Sequence, residues 1–200
     1  MGKQIWKPGT VLYPLPAVMV SCGDINGIQN IITIAWTGIV NSEPPMTYIS
    51  VRPERYSYDI IKNSGEFVIN LTTKKLTKAC DFCGVRSGRE IDKFKETGLT
   101  PVKSHLVKAP SIEQSPVNIE CQVESIIPLG SHHMFLSKIV SVSVSDQYLD
   151  DTGKFHFDKS SPICYSHGQY YLLGTKLGKF GYSIQKKKNE TKIDRFGMGR

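Results

Sequence analysis

The chain has 200 residues, 40% apolar and 22% charged, a globular balance with enough length to bury a core without disulfide staples. No apolar run is long enough to span a bilayer. The formal charge of +7 is concentrated at the end, where residues 184–200 carry six Lys or Arg against two acids; the rest is only mildly basic and shows no nucleic-acid motif.

In chain order, residues 17–22 (AVMVSC) predict a strand and 23–27 a turn. Residues 31–36 predict a second strand, ending near Trp36 and Thr37. The stretch 41–45, with its Pro-Pro pair, breaks the chain, and 46–51 predict a third strand. A short helix is expected over 57–63, with Gly65 just past its end, then a strand over 67–71. Thr73 is placed to cap a helix over 74–83, with Gly84 as its stop, and a helix over 90–97 closes at Gly98.

Beyond Pro101 the pattern alternates. Val117, Ile119, Cys121 and Val123 share one face of a strand over 117–127, which puts Glu120 and Glu124 on the solvent side. Residues 133–145 predict its partner, residues 150–153 a turn, and residues 162–171 one or two further strands. Strands dominate both ends with short helices between them. The expected architecture is therefore mainly β, a closed or partly open antiparallel barrel with inserted helices. One domain over 1–183 with a basic tail over 184–200 is the expected organisation.

Three segments carry chemistry. Arg52-Pro53-Glu54-Arg55-Tyr56-Ser57 precedes the first helix, whose unpaired N–H groups, a serine hydroxyl and two guanidinium groups suit a phosphate. The alternative is a surface pair between Arg and Glu54. Residues 30–37 set Asn30 and Thr33 at the start of a strand and Trp36 and Thr37 at its end; the alternative is a core tryptophan. Together these segments suit a planar ring with a phosphate tail, and flavin mononucleotide (FMN) is such a ligand. Lys93 offers a further point charge for a phosphate, or a solvated helix face.

Cys80-x-x-Cys83 falls at an expected helix end without a second metal-binding pair, so it reads as structural thiols rather than a zinc or thioredoxin-like site, and no metal is expected. The odd count of five cysteines, with no signal-peptide pattern in MGKQIWKPGT, sets the expectation of reduced thiols in the cytoplasm. Adjacent His132 and His133 point to opposite faces of a strand, so they are not expected to share a metal; one is placed to face a ligand and the other solvent, and the alternative is a pair with no functional role. No carboxylate pair or nucleophile triad is legible, and no side chain is assigned a catalytic role.

The segments NIITIAW (30–36), Pro44-Pro45, ISVRPERYS (49–57), GEFVINL (65–71), SGREIDKF (87–94) and Gly130-Ser131-His132, in this order, resemble the flavin reductase-like family of FMN-binding split-barrel proteins, nearest the flavoredoxin type. The resemblance runs from about residue 14 to 183. It implies a homodimer of antiparallel Greek-key split barrels with non-covalent FMN near the subunit interface. It places Asn30, Thr33, Ala35, Trp36 and Thr37 along the flavin and Ser50, Arg52 and Ser57 near the ribityl phosphate. Lys93, His132 and Tyr165 are implied as further contacts, with His132 as an orienting residue. One departure is Ser131-His132-His133, where many relatives have Asp-His-Thr. In such a family the cofactor carries the redox chemistry. The implied co-substrate is NADH or NADPH, with a flavin or other acceptor. A flavoredoxin-like carrier exchanging electrons with a protein partner is the second expectation, and a basic module acting through the tail the third. Neither a nucleic-acid partner nor a membrane is expected.

Overall fold

The computed structural model describes residues 1–184; the basic tail lies outside the described residues apart from Ile184. In chain order the elements are β1 (Leu15–Pro16), β2 (Val18–Gly23), β3 (Gln29–Ile34), β4 (Thr37–Asn41), β5 (Met46–Val51), α1 (Tyr56–Ser64) and β6 (Glu66–Asn70). They continue with α2 (Thr77–Val85), α3 (Lys93–Thr97), β7 (Pro101–Val102), β8 (Ser111–Ile112), β9 (Val117–Pro128), β10 (His133–Val144), β11 (Ile163–Ser166) and β12 (Gln169–Leu172).

Seven strands form one antiparallel sheet in the order β3-β2-β6-β9-β10-β5-β4. The sheet curls until β3 approaches β5, a half-closed split barrel. Its interior holds Val20, Ile34, Ile49, Phe67, Cys121 and Phe135, and α1 packs into the open end through Tyr58 and Ile61. On the other side of β2 and β3, Met19, Ile31, Cys80, Cys83 and Phe94 form a second cluster with α2 and α3. Both faces of β2 are thus covered, so VMVSC reads as a continuous apolar run rather than an alternation. A small sheet, β1-β11-β12, lies against the outer cluster through Tyr165 and Tyr170.

The expected strands and helices occur, with informative differences. An extra strand, β4, follows Trp36 and pairs with β5 across the Pro-Pro turn. Gly84 does not stop its helix; α2 runs through it to Val85, and the glycine instead permits close packing on β3, where a Cβ would lie 3.2 Å from Thr33 Cβ. The third helix is shorter than expected and begins at Lys93, where Asp92 accepts a hydrogen bond from the Lys95 N–H.

The solvent-side placement of Glu120 is corrected. Glu120 is fully buried, and its carboxylate accepts hydrogen bonds from the backbone N–H groups of His105 (2.8 Å), Leu106 (2.6 Å) and Val107 (3.1 Å). The loop 104–109 lies across that face of the sheet, with Val107 and Ala109 against Val68. Strand alternation reports which residues share a face, and here a loop makes the second face an interior one.

Candidate functional site

Two joined cavities lie where β3, the β5–α1 connection and α2 converge. The larger, about 460 Å³, is walled by Thr33, Ala35, Trp36, Ser50, His132 and Tyr165. The smaller, about 250 Å³, is lined by Asn30, Arg55, Ser57, Gly88, Arg89 and Lys93 among others. Ile32, Arg55 and Gly84 line both, so the two form one elongated cleft.

The larger end is aromatic. Trp36 stands in the bend between β3 and β4, left 39% exposed, and the His132 ring lies 4.2 Å from it, centroid to centroid. The bend is held by the Ser50 N–H, which donates to Trp36 O at 2.9 Å. His132 comes from the β9–β10 tip. Partial burial, then Arg52 and Arg55 nearby, hold its imidazole below the ordinary histidine value, with Glu54 opposing them. Tyr13, Tyr165 and Tyr170 close the opposite side; Tyr165 lies 5.6 Å from Tyr170 in an edge-on pair.

The smaller end is cationic and rich in donors. Arg55 caps α1 in extended conformation without a side-chain capping bond, so the helix opens toward the cavity with unsatisfied N–H groups and its positive dipole end. Asn30 Nδ2 donates to Ser57 Oγ at 2.8 Å. The backbone of Gly88 passes so close that a Cβ there would fall 2.2 Å from Asn30 Oδ1. Arg89 donates to Glu54 O at 3.0 Å and stacks over the Tyr56 ring at 5.4 Å.

Asn30 and Ser57 therefore share the cationic end, whereas the resemblance sets Asn30 along the ring. Ser50 and Arg52 line the aromatic end. Arg52 is engaged with Glu54 at 3.4 Å, while Arg55 makes no side-chain ion pair among the described residues. Thr37 does not line the cleft: it is buried, and its hydroxyl donates to Tyr48 O at 2.5 Å, which secures β4 on β5. The Thr33 hydroxyl donates to Cys80 O and ties β3 to α2.

Lys93 is buried, its Nζ donating to Ile31 O and Cys83 O, both at 2.7 Å. Burial lowers its pKa below the ordinary lysine value. Two of its three protons are committed to the scaffold, which leaves one for the cavity. Cys80 and Cys83 are buried in α2 as neutral thiols, raised by burial to about 12 and about 11. Tyr13, Asp81, Tyr170 and Gly88 also line the cleft, though residue-type reasoning did not single them out as contacts. SGREIDKF carried a signal for Gly88; Tyr13 and Tyr170 reach the cleft only through the small sheet, which no local pattern announces.

The site is an elongated cleft, aromatic at one end and cationic and rich in donors at the other, on an antiparallel split barrel. The family model described as "Flavin reductase like domain" matches residues 10–174, and the chain belongs to that family of flavin-binding redox proteins. The fold is similar to the flavoredoxin of Desulfovibrio vulgaris (Miyazaki F), with a TM-score of 0.84 and 31% identity over 92% of this chain and 100% of that one. A flavoredoxin from Methanosarcina acetivorans gives a TM-score of 0.81 and 26% identity, with the same coverage. An uncharacterized protein of Aquifex aeolicus (strain VF5) is 31% identical over 167 residues, 81% of this chain and 85% of its own.

Proposed function

We propose that this protein is an FMN-dependent oxidoreductase of the flavin reductase type. The observation that carries the reading is the cleft joined through Arg55: an aromatic slot at one end, a helix N-terminus with Ser57, Asn30 and cationic side chains at the other. Bound FMN supplies the redox chemistry, taking two electrons from NADH or NADPH and delivering them to a flavin or other acceptor. The protein's share is binding and orientation. The first turn of α1, Ser57 and Arg55 hold the phosphate, with the free proton of Lys93 behind it. Trp36, His132 and Tyr165 confine the ring, and Thr33, Ala35 and Ser50 form the floor along it.

A second reading is a flavoredoxin-like carrier that exchanges electrons with a protein partner; the likeness to two flavoredoxins favours it. Either reading fits a homodimer: Ile39 and Val40 on the edge strand β4, and Leu173 and Phe180 after β12, are exposed apolar side chains of the kind a second copy covers. The five unbridged cysteines fit a reducing cytoplasm, and no described helix is long and apolar enough to cross a membrane.

The test is an absorption spectrum of the FMN-reconstituted protein followed by anaerobic titration with NADH and NADPH. A flavin spectrum that bleaches with either nicotinamide is expected. A flavin that stays oxidised with both, yet is reduced by a protein donor, selects the carrier. Folded protein that takes up no FMN overturns both.

A further inference from the structure

The two consecutive histidines at the β9–β10 tip face apart and do different work. His132 lines the aromatic end of the cleft against Trp36. His133 opens β10 opposite Val51, and its Nδ1 lies 2.7 Å from the Tyr58 hydroxyl in a hydrogen bond. Tyr58 is 6% exposed and stands in the first turn of α1, the turn that faces the anion-binding end. Its ring meets His133 edge-on at 5.4 Å and Phe135 edge-on at 5.3 Å.

The tip itself is short of anchors. Gly130 adopts φ 87°, the Leu129 N–H donates to His132 O at 2.9 Å, and the Ser131 hydroxyl lies 3.0 Å from His132 Nδ1. These bonds stay within the tip. The first side-chain tie from it to the body of the barrel is Tyr58–His133. A hydrogen bond shared by a buried hydroxyl is costly to leave unmade, so it fixes the chain at residue 133 and thereby the residue before it.

We propose that Tyr58 and His133 are positioning residues: their hydrogen bond holds the His132 imidazole against the Trp36 indole and couples the aromatic wall of the cleft to the first turn of α1. This arrangement belongs to the protein whichever ligand fills the cleft, so its test uses flavin-free protein and does not depend on the proposed function. The groups facing His132 are Trp36, the Ser131 hydroxyl, the cations Arg52 and Arg55, and Glu54.

The chain has two tryptophans, so Trp6→Phe leaves Trp36 as the sole indole reporter. A protonated imidazole in contact with indole quenches its emission, and a neutral one does so far less. Emission of the flavin-free Trp6→Phe protein is followed from pH 8 down to pH 4.5. It is expected to fall in one transition that His132→Gln abolishes. Tyr58→Phe keeps the ring packed on Phe135 and removes only the hydroxyl. It is expected to cut the amplitude at least twofold and move the midpoint up toward that of an ordinary histidine. His133→Ala does the same. His133→Asn, whose amide stands in for Nδ1, retains the parent titration. Circular dichroism establishes that each variant is folded; should Tyr58→Phe fail to fold, the contrast between His133→Ala and His133→Asn decides. Titrations of Tyr58→Phe and His133→Ala that superimpose on the parent overturn the proposal, as does a parent transition that survives His132→Gln.

Discussion

Asn30 Nδ2 donates a 2.8 Å hydrogen bond to Ser57 Oγ, which ties the third strand of the barrel to the first turn of α1. Both residues are buried and both line the smaller cavity, so the cationic end is held by the scaffold rather than by mobile surface groups. Arg55, at the junction of the two cavities and without an ion pair among the described residues, is the cation most available to a phosphate there.

Arg55→Ala is therefore expected to weaken FMN binding by roughly 10- to 150-fold, the loss of one charge-assisted hydrogen bond at about 1.5–3 kcal/mol. Riboflavin, which has no phosphate, should lose less than about twofold, since only the charged contact is removed. Arg52→Ala should have a smaller effect than Arg55→Ala on FMN, because the Arg52 guanidinium is engaged with Glu54. Quenching of flavin fluorescence on titration measures all three. Equal losses for FMN and riboflavin would place the phosphate elsewhere.

Gly88→Ala tests the fit of the same end from the other side. The added Cβ would fall 2.2 Å from Asn30 Oδ1 and 2.6 Å from its Cγ, so Asn30 must move and its bond to Ser57 breaks. Overpacking of this kind costs about 1–3 kcal/mol of stability. The expected outcome is a lower urea midpoint together with weaker FMN retention. Gly174→Ala, where a Cβ meets nothing within 4 Å, should change neither.

The barrel was legible because its strands alternate or run apolar between Gly and Pro breaks, and because the 49–57 segment couples a strand end to a helix start. The two segments expected to offer complementary chemistry do meet across one cleft. What local pattern did not carry was the assignment within it. Arg52 and Arg55 are equivalent as residue types, yet one is engaged with Glu54 and the other is not. Thr37 reads as a rim hydroxyl, but the unrecognised strand β4 turns it onto Tyr48. Lys93 reads either as a point charge for a phosphate or as a solvated helix face; it lines the smaller cavity, but α3 begins at that residue and two of its amine protons are drawn beneath β3 and α2. The last two differences come from an element packing where the sequence has no periodic signal.

Glu120 makes the same point for stability. Its carboxylate satisfies three consecutive backbone N–H groups of the covering loop. Glu120→Gln removes the charge and turns one acceptor into a donor facing an N–H, which should cost about 1–3 kcal/mol in urea unfolding for the buried groups left unsatisfied. Glu124→Gln, four residues on and paired with Lys138 at 2.8 Å on the surface, should cost no more than about 1 kcal/mol. Comparable losses in the two variants would mean that the loop does not depend on Glu120.

The buried thiols set the response to alkali. Burial raises Cys22 and Cys80 to about 12 and Cys83 to about 11, from a reference of 9.0, and pushes Cys121 up as well. From about pH 9 upward the unfolded chain releases these protons while the folded chain keeps them. The folded state then binds more protons, so stability falls as pH rises, by up to about tenfold in the folding equilibrium per pH unit for each thiol. Lys93 acts with the opposite sign: its folded value lies below 10.5, so the unfolded chain binds the extra proton and stability gains as pH rises through that window. Four thiols against one amine leave a net loss. Urea midpoints should therefore decline from pH 8.5 to 10.5, and decline less steeply in Cys22→Ala, which removes one of the released protons. Parallel declines in the parent and Cys22→Ala would show that Cys22 ionises in the folded protein as readily as in the unfolded chain.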